Sequence, residues 1–394
     1  MKILFVTTWY YPAKVGGGSQ MVKNFAEELV KQGNEVEVWT TDYINGRAEP
    51  IQKVEKKIDY INGVKVIYYR GYFHKWQAKT KQVISLELFK NFFTKEIDKF
   101  DVINLVESKS IASLVIMNAL RIRKKNNIAH FAFGSLGERN INIKHKIYDE
   151  LVLKPFLNNN CSWFFAQTNH EIKRYKIYLE KYNYKKIHLL PLAVDVKDNI
   201  QKAKKYEGIL RKELKNENIR LFLFLGRLTA NKGIKRLIES FSKTKPSKNN
   251  LFLAIVGYDE GYKKELEFII KNLKMKDYIK ILDPVYGDKR FGYYKDADYF
   301  IITSTFYEET SLASLEALSI GTPVIVTPEV ELPYLEEYEA GFIANSSNES
   351  IKNKILEIIK KDYNIISKNA LKLAYEKFDI SNVTKLLLNY YKKG

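Results

Sequence analysis

The chain of 394 residues predicts two doubly wound α/β domains, each a largely parallel sheet covered by helices. Three observations carry that prediction. Short apolar runs alternate with longer stretches of helical periodicity through both halves of the chain. The runs are nearly continuous rather than alternating, as in strands buried on both faces. The chain is also too long for one core, since domains usually hold about 100–200 residues.

The first unit sets the pattern. Residues 3–7 read as a strand, Met21, Val22, Phe25, Ala26, Leu29 and Val30 recur at helical spacing, and a second strand begins over 36–39. Between them Gly16-Gly17-Gly18 is expected as a loop entering the helix, where Gly17 and Gly18 can bring backbone N–H groups close to a phosphate or sugar. Asp42 ends the second strand where a ribose-binding acid of a dinucleotide fold would stand. The fingerprint fails nonetheless, because Met21 occupies the third glycine position and 8–15 is too long for the usual tight turn. Strand 64–69, helix 86–100 and strand 102–106 follow. Residues 68–81 mix aromatic with basic side chains, readable either as a strand with a polar loop or as a membrane-interface segment with Phe73 and Trp76 among lipid headgroups. Residues 128–140 read as a strand leading into a glycine-rich loop, and His130 on that strand reads as a core histidine or one that supports a site from behind. Helix 143–157, strand 163–167, a helix from Glu171 and strand 187–190 complete the first domain at 195. Polar, lysine-rich 196–218 is expected as the linker.

The second domain, 219–376, opens with strand 221–225. Gly226 turns the chain there, Arg227 offers a planar fork and Lys232 a point charge, two cations at the end of a strand that suit a diphosphate. A lysine-rich solvated loop is the competing reading. Strands 251–256 and 279–282 and helix 262–274 follow. Asp296-Ala297-Asp298 invites a metal reading, but no other acid or histidine cluster joins it, so it is expected to end a helix leading into strand 299–302. Strand 323–326 is next. The loop between the last two carries Glu308 and the helix after it Glu316, with Thr310 and Ser311 as caps and Gly321 as the stop. N–H groups at Ser311, Leu312 and Ala313 would suit an anion, and a carboxylate accepts two hydrogen bonds from the vicinal diol of a ribose or hexose. Two solvated surface acids are the plain alternative. A helix over 383–391 closes the chain.

Composition bounds the function. The net charge is +19, and 1–194 hold 31 Lys and Arg against 18 Asp and Glu, a balance of +13 that leaves +6 for the rest. Such a half suits an anionic partner, either nucleic acid, lipid headgroups or a polyanionic acceptor, unless the excess is compositional drift. No nucleic-acid-binding motif accompanies it. The single cysteine, Cys161, excludes intramolecular disulfides and fits a reducing compartment. A start that runs directly into a strand, with no apolar leader or spanning run, suggests the cytoplasm, with a peripheral place at the inner face of the cell membrane.

One resemblance narrows these alternatives. Ser304, Glu308, Leu315, Glu316, Ala317, Gly321, Thr322 and Pro323 fit the E-x7-E signature of the retaining nucleotide-sugar glycosyltransferases of family 4, while Thr303, Glu309, Thr310, Ser311 and Ile320 depart from it. Gly226-Arg227-Leu228 with Lys232-Gly233 resembles the family's Gly-Arg-Leu…Lys-Gly segment, and Gly33-Asn34-Glu35-Val36 and Pro191-Leu192-Ala193-Val194-Asp195 resemble two of its turns. The resemblance implies the GT-B arrangement, two Rossmann-like domains facing each other across a cleft, with a C-terminal helix at 377–394 packing back on the first domain. It implies a donor that is a nucleoside diphosphate sugar, no metal or other cofactor, and a glycan or lipid-linked acceptor on the N-terminal domain. Carried over, Arg227 and Lys232 stabilise the leaving diphosphate with Ser311 and Leu312, Glu308 holds the transferred sugar, and Glu316 holds the ribose. The family's acceptor-side histidine is replaced by Phe133. An epimerase or phosphorylase of the same fold, and a basic nucleic-acid-binding protein, are the alternatives.

Overall fold

A computed structural model describes residues 1–13, 16–44, 53–72, 85–106, 108, 111–132, 136, 143–215, 218–308 and 310–393. The chain divides into two compact units, Met1–Pro191 with Val383–Gly394, and Leu192–Asn382.

The first unit is built on eight strands: β1 (Lys2–Val6), β2 (Glu35–Thr41), β3 (Ile58–Ile61), β4 (Val64–Tyr69), β5 (Val102–Leu105), β6 (Ile128–Phe131), β7 (Cys161–Ala166) and β8 (Ile187–Leu189). They lie in the order β3-β4-β2-β1-β5-β6-β7-β8, parallel except for the β3–β4 hairpin. Strand order reverses between β1 and β5, so the loop after β1 opens at a switch point. The central strands are buried on both faces, which is why they are written as apolar runs. Trp39 of β2 is the hub of one core layer, meeting Phe92, Phe100 and Tyr69 edge to face at 5.4–6.0 Å. The final helix, Ile380–Lys393, carries Tyr391 to Asn104 (hydroxyl to Oδ1, 2.6 Å) and Tyr390, whose carbonyl accepts from the Trp163 indole at 2.9 Å.

Two expectations change here. Gly16-Gly17-Gly18 is not a loop, because the helix already begins at Gly16 and runs to Lys31. Its stripe of Met21, Val22, Phe25, Ala26 and Leu29 is at most 2% exposed, and that burial carries a first turn of poor helix formers. A Cβ at Gly18 would meet nothing within 4 Å, so the protein itself does not require glycine there. The expected linker helix and connection, 196–218, does not stand apart: helices Val196–Lys205 and Ile209–Leu214 both lie within the second unit. The Asp296 carboxylate accepts from the N–H groups of Gly208 and Leu210 at 2.6 and 2.7 Å, tying the second of them down. Phe73, Trp76 and the rest of 73–81 lie outside the described residues.

The second unit has six parallel strands: β9 (Arg220–Leu225), β10 (Leu251–Val256), β11 (Ile279–Leu282), β12 (Tyr299–Ile302), β13 (Val324–Val326) and β14 (Gly341–Ile343), in the order β11-β10-β9-β12-β13-β14. Order reverses between β9 and β12, so the loops leaving these two strands meet at this sheet's switch point.

Candidate active site

The loops after β9 and β12 are stitched together at the backbone. Gly233 adopts φ +66°, and a Cβ there would stand 1.7 Å from the Thr303 carbonyl oxygen, so any side chain would force the loops apart. The Thr303 hydroxyl donates to the Gly233 carbonyl at 3.0 Å and the Thr305 N–H to the Asn231 carbonyl at 2.9 Å. Arg236, one turn into the helix Ile234–Ser242, spans the seam: Nη2 donates to the carbonyls of Thr303 and Ser304 at 2.9 and 2.7 Å, and Nη1 to that of Ser346 at 2.8 Å. The loop after β10 is pressed on the same junction, because a Cβ at Gly257 would lie 1.7 Å from the Gly226 carbonyl oxygen.

This seam positions Lys232 against Glu308. Lys232 ends the short 3-10 turn Ala230–Lys232, and its Nζ lies 2.6 Å from Glu308 Oε2. Both side chains are less than a fifth exposed. The Glu308 N–H donates to the Glu329 carbonyl at 2.8 Å, fixing the backbone, while Oε1 is buried with no partner among the described residues. Ser304 Oγ is in the same condition. Two orphaned polar atoms in one loop, a hydroxyl and a carboxylate oxygen, mark a place where a polar ligand would restore lost hydrogen bonds.

The structure separates the remaining expected site residues. Arg227 does not join Lys232 in an open anion cradle, because its Nη1 is 2.9 and 3.2 Å from the two oxygens of Glu260 in the loop after β10. That pair is solvent-exposed, so its net strength is low. The neighbouring Asp259 accepts from the N–H groups of Gly261, Tyr262 and Lys263, and the Lys263 bond first among these holds its carboxyl below the usual range.

Ser311 is the N-cap of the helix Leu312–Ser319, its Oγ accepting from the Ser314 N–H at 3.3 Å. Leu312 is half-buried at the first helical position, and Leu315 and Leu318 are fully buried beneath. Glu316 turns to a neighbouring helix: Arg290 and Tyr294 of Lys289–Asp296 hold it. Burial lowers the Arg290 pKa, but the hydrogen bonds and charge of Glu316 outweigh it and raise the value. Glu260, Arg236, Arg290 and Tyr294 were not singled out from the sequence; only the i, i+4 spacing of Arg290 and Tyr294 on a helix hinted that those two act together.

Asp296 and Asp298 have structural work. Besides capping through Asp296, they hold Arg211, and Asp298 accepts from the Leu221 N–H at 2.7 Å. In the first unit Phe133 lies outside the described residues. His130 is fully buried, 2.7 Å from the Tyr175 hydroxyl through Nδ1, with burial lowering its pKa to about 3. Cys161 is buried as well, which pushes its thiol pKa up.

Comparison with known proteins decides the class of enzyme. The family model described as glycosyl transferases group 1 matches residues 206–374, the part of the chain that holds the Lys232–Glu308, Arg227–Glu260 and Arg290–Glu316 pairs, and the starch synthase catalytic domain matches residues 2–102. The chain is a GT-B glycosyltransferase. It is 26% identical over 403 residues to an uncharacterised glycosyltransferase of Methanocaldococcus jannaschii, covering 100% of this chain and 98% of that one. It is 23% identical over 342 residues to the alpha-monoglucosyldiacylglycerol synthase of Streptococcus pneumoniae, covering 82% and 70%. Among solved structures, Anabaena HepE in complex with UDP superposes with a TM-score of 0.74 at 18% identity, covering 100% of both chains. The glycosyltransferase thus presents, at one switch point, Lys232 paired with Glu308 and, a loop away, Arg227 paired with Glu260.

Proposed function

We propose that this glycosyltransferase takes a sugar from a nucleoside diphosphate sugar and transfers it, with retention of anomeric configuration and without a metal ion, to a glycan or lipid-linked acceptor, and that it is a member of family 4. The observation that carries the reading is the buried Lys232–Glu308 pair at the β9/β12 switch point, with an orphaned carboxylate oxygen beside it. Lys232 and Arg227 supply the positive charge that a departing diphosphate needs, and the N-terminus of the Leu312–Ser319 helix adds its dipole, so the protein can meet that charge with its own groups. The free oxygen of Glu308 accepts a sugar hydroxyl, and Glu316 accepts from the ribose. That HepE was crystallised with UDP favours a nucleoside diphosphate donor, and the name of the S. pneumoniae relative favours a lipid acceptor.

The test is a time course of nucleotide release from a panel of nucleoside diphosphate sugars, with and without glycolipid acceptor, in the presence of EDTA. Acceptor-dependent release, unaffected by chelator and giving a product with the donor's anomeric configuration by NMR, is expected. Interconversion of the donor sugar without acceptor and without net nucleotide release, followed in the same NMR spectra, would favour an epimerase. No described helix is long and apolar enough to cross a membrane. The proposed contact with the lipid is peripheral, carried by the +13 balance of residues 1–194. Sedimentation with anionic vesicles, lost on adding salt and absent with neutral ones, is the expected outcome; equal binding to both would refute it.

A further inference from the structure

Glu316 is held by two side chains of the neighbouring helix Lys289–Asp296. Arg290 brings Nη2 to 2.7 Å from Oε1 and Nε to 3.2 and 3.1 Å from Oε1 and Oε2, and the Tyr294 hydroxyl donates to Oε2 at 3.1 Å. The two donors are themselves fixed. Tyr294 is fully buried, edge-on to Phe300 at 5.6 Å, and its carbonyl accepts from the Thr322 hydroxyl at 2.8 Å. The Arg290 guanidinium lies 4.3 Å over the Phe291 ring, and its Nη1 donates to the Gly287 carbonyl at 2.7 Å. A planar fork anchored on both sides dictates the plane of the carboxylate it grips. A carboxylate has about four lone-pair sites. The three bonded donor groups consume most of that capacity and leave little of it for a ligand.

We infer that Arg290 and Tyr294 are positioning residues that fix Glu316 so that it discriminates ribose from deoxyribose in the donor nucleotide; the inference rests on the reading that Glu316 holds the ribose. An acceptor free to rotate into water tolerates a missing hydroxyl, whereas one locked in place is left unpaired by it.

The experiment is calorimetry on the full chain with UDP, 2′-deoxy-UDP and 3′-deoxy-UDP, or the matching ADP or GDP set if one of those is the nucleotide bound. The wild type is expected to prefer the ribonucleotide by about 10- to 100-fold over at least one deoxy form, the range of a hydrogen bond to a charged group. Arg290→Gln should reduce that ratio below about threefold, Arg290→Lys should do nearly the same because an ammonium cannot fork, and Tyr294→Phe, which removes only a hydroxyl, should lower it several-fold. A ratio is internally referenced, so damage that weakens every nucleotide equally leaves it unmoved, and circular dichroism checks the fold. Glu316→Gln separates the layers. Should it abolish the preference while Arg290→Gln keeps it, Glu316 grips the ribose unaided and the inference is overturned. A preference unchanged in Glu316→Gln, or absent in the wild type, removes the ribose reading and the inference with it.

Discussion

Replacing Lys232 by methionine keeps an apolar stem and deletes the charge 2.6 Å from Glu308. At an effective dielectric of about 20 the gross attraction at that distance is roughly 6 kcal/mol, most of it offset by desolvating both ions. The measurable quantity is what happens when one partner goes: Glu308 would keep a carboxylate less than a fifth exposed, with neither oxygen paired to a cation and Oε1 already orphaned. Removing one member of a buried pair costs about 3–5 kcal/mol, and the residual exposure puts this pair near 3. Lys232→Met with Glu308→Leu removes both charges and should return to within about 1 kcal/mol of the wild type. Turnover must diverge from stability, because single and double variants alike should lose on the order of a hundredfold in rate. All four tryptophans precede residue 192, so their fluorescence follows the first unit, while far-UV circular dichroism follows both. Urea titration should therefore move the dichroism transition alone. A double variant as unstable as the sum of its singles would refute the reasoning, since the two charges would then not be coupled.

Arg227→Ala should cut turnover by on the order of a hundredfold yet change stability by less than about 0.5 kcal/mol, because its partner Glu260 is exposed; near-normal turnover in the folded variant refutes its role. Glu316→Gln should weaken nucleoside diphosphate and donor alike, whereas Glu308→Gln should leave diphosphate affinity intact and damage transfer; equal loss of diphosphate binding in calorimetry contradicts the assignment. His130, with its folded-state pKa lowered to about 3, binds its proton only after unfolding between pH 6.5 and 3, so its contribution is complete above pH 6.5 and is lost as pH falls through that window. His130→Gln should accordingly flatten the acid limb of stability measured by denaturation at pH 7 and pH 4.5, and an unchanged slope would refute it.

What the sequence discloses follows from which interactions are local. Residues 221–225 and 299–302 read as strands because burial on both faces leaves no room for polar residues. Ser311 reads as a cap because its bond reaches only to Ser314. Gly16-Gly17-Gly18 misleads because the tertiary burial of Met21 to Leu29 overrides local propensity. The partners are hidden for another reason. Glu260 stands 33 positions from Arg227, Arg290 stands 26 from Glu316, and the Thr303 carbonyl stands 67 from Arg236. Each pair meets only because the parallel sheet brings loops and helices distant in sequence side by side, and residue spacing along one chain carries no record of which of them become neighbours.

That hidden pairing changes how the expected cations can act. Lys232 and Arg227 are both matched by a carboxylate, so a diphosphate arriving there must compete for them. Competition is unequal. Glu260 is exposed, and giving it back to water costs little, so Arg227 can exchange one anion for another. Glu308 is enclosed and already has one unpartnered oxygen, so Lys232 cannot leave it without stranding the whole carboxylate. On the proposed reading Lys232 therefore bridges, adding a phosphate oxygen to its three donors while keeping Glu308, and so couples the group that holds the sugar to the group that draws off the diphosphate. Arg227 contributes charge alone. Arg227→Lys should accordingly recover much of the rate lost in Arg227→Ala, whereas Lys232→Arg, whose larger planar fork must fit next to a seam without room for even a Cβ at Gly233, should not.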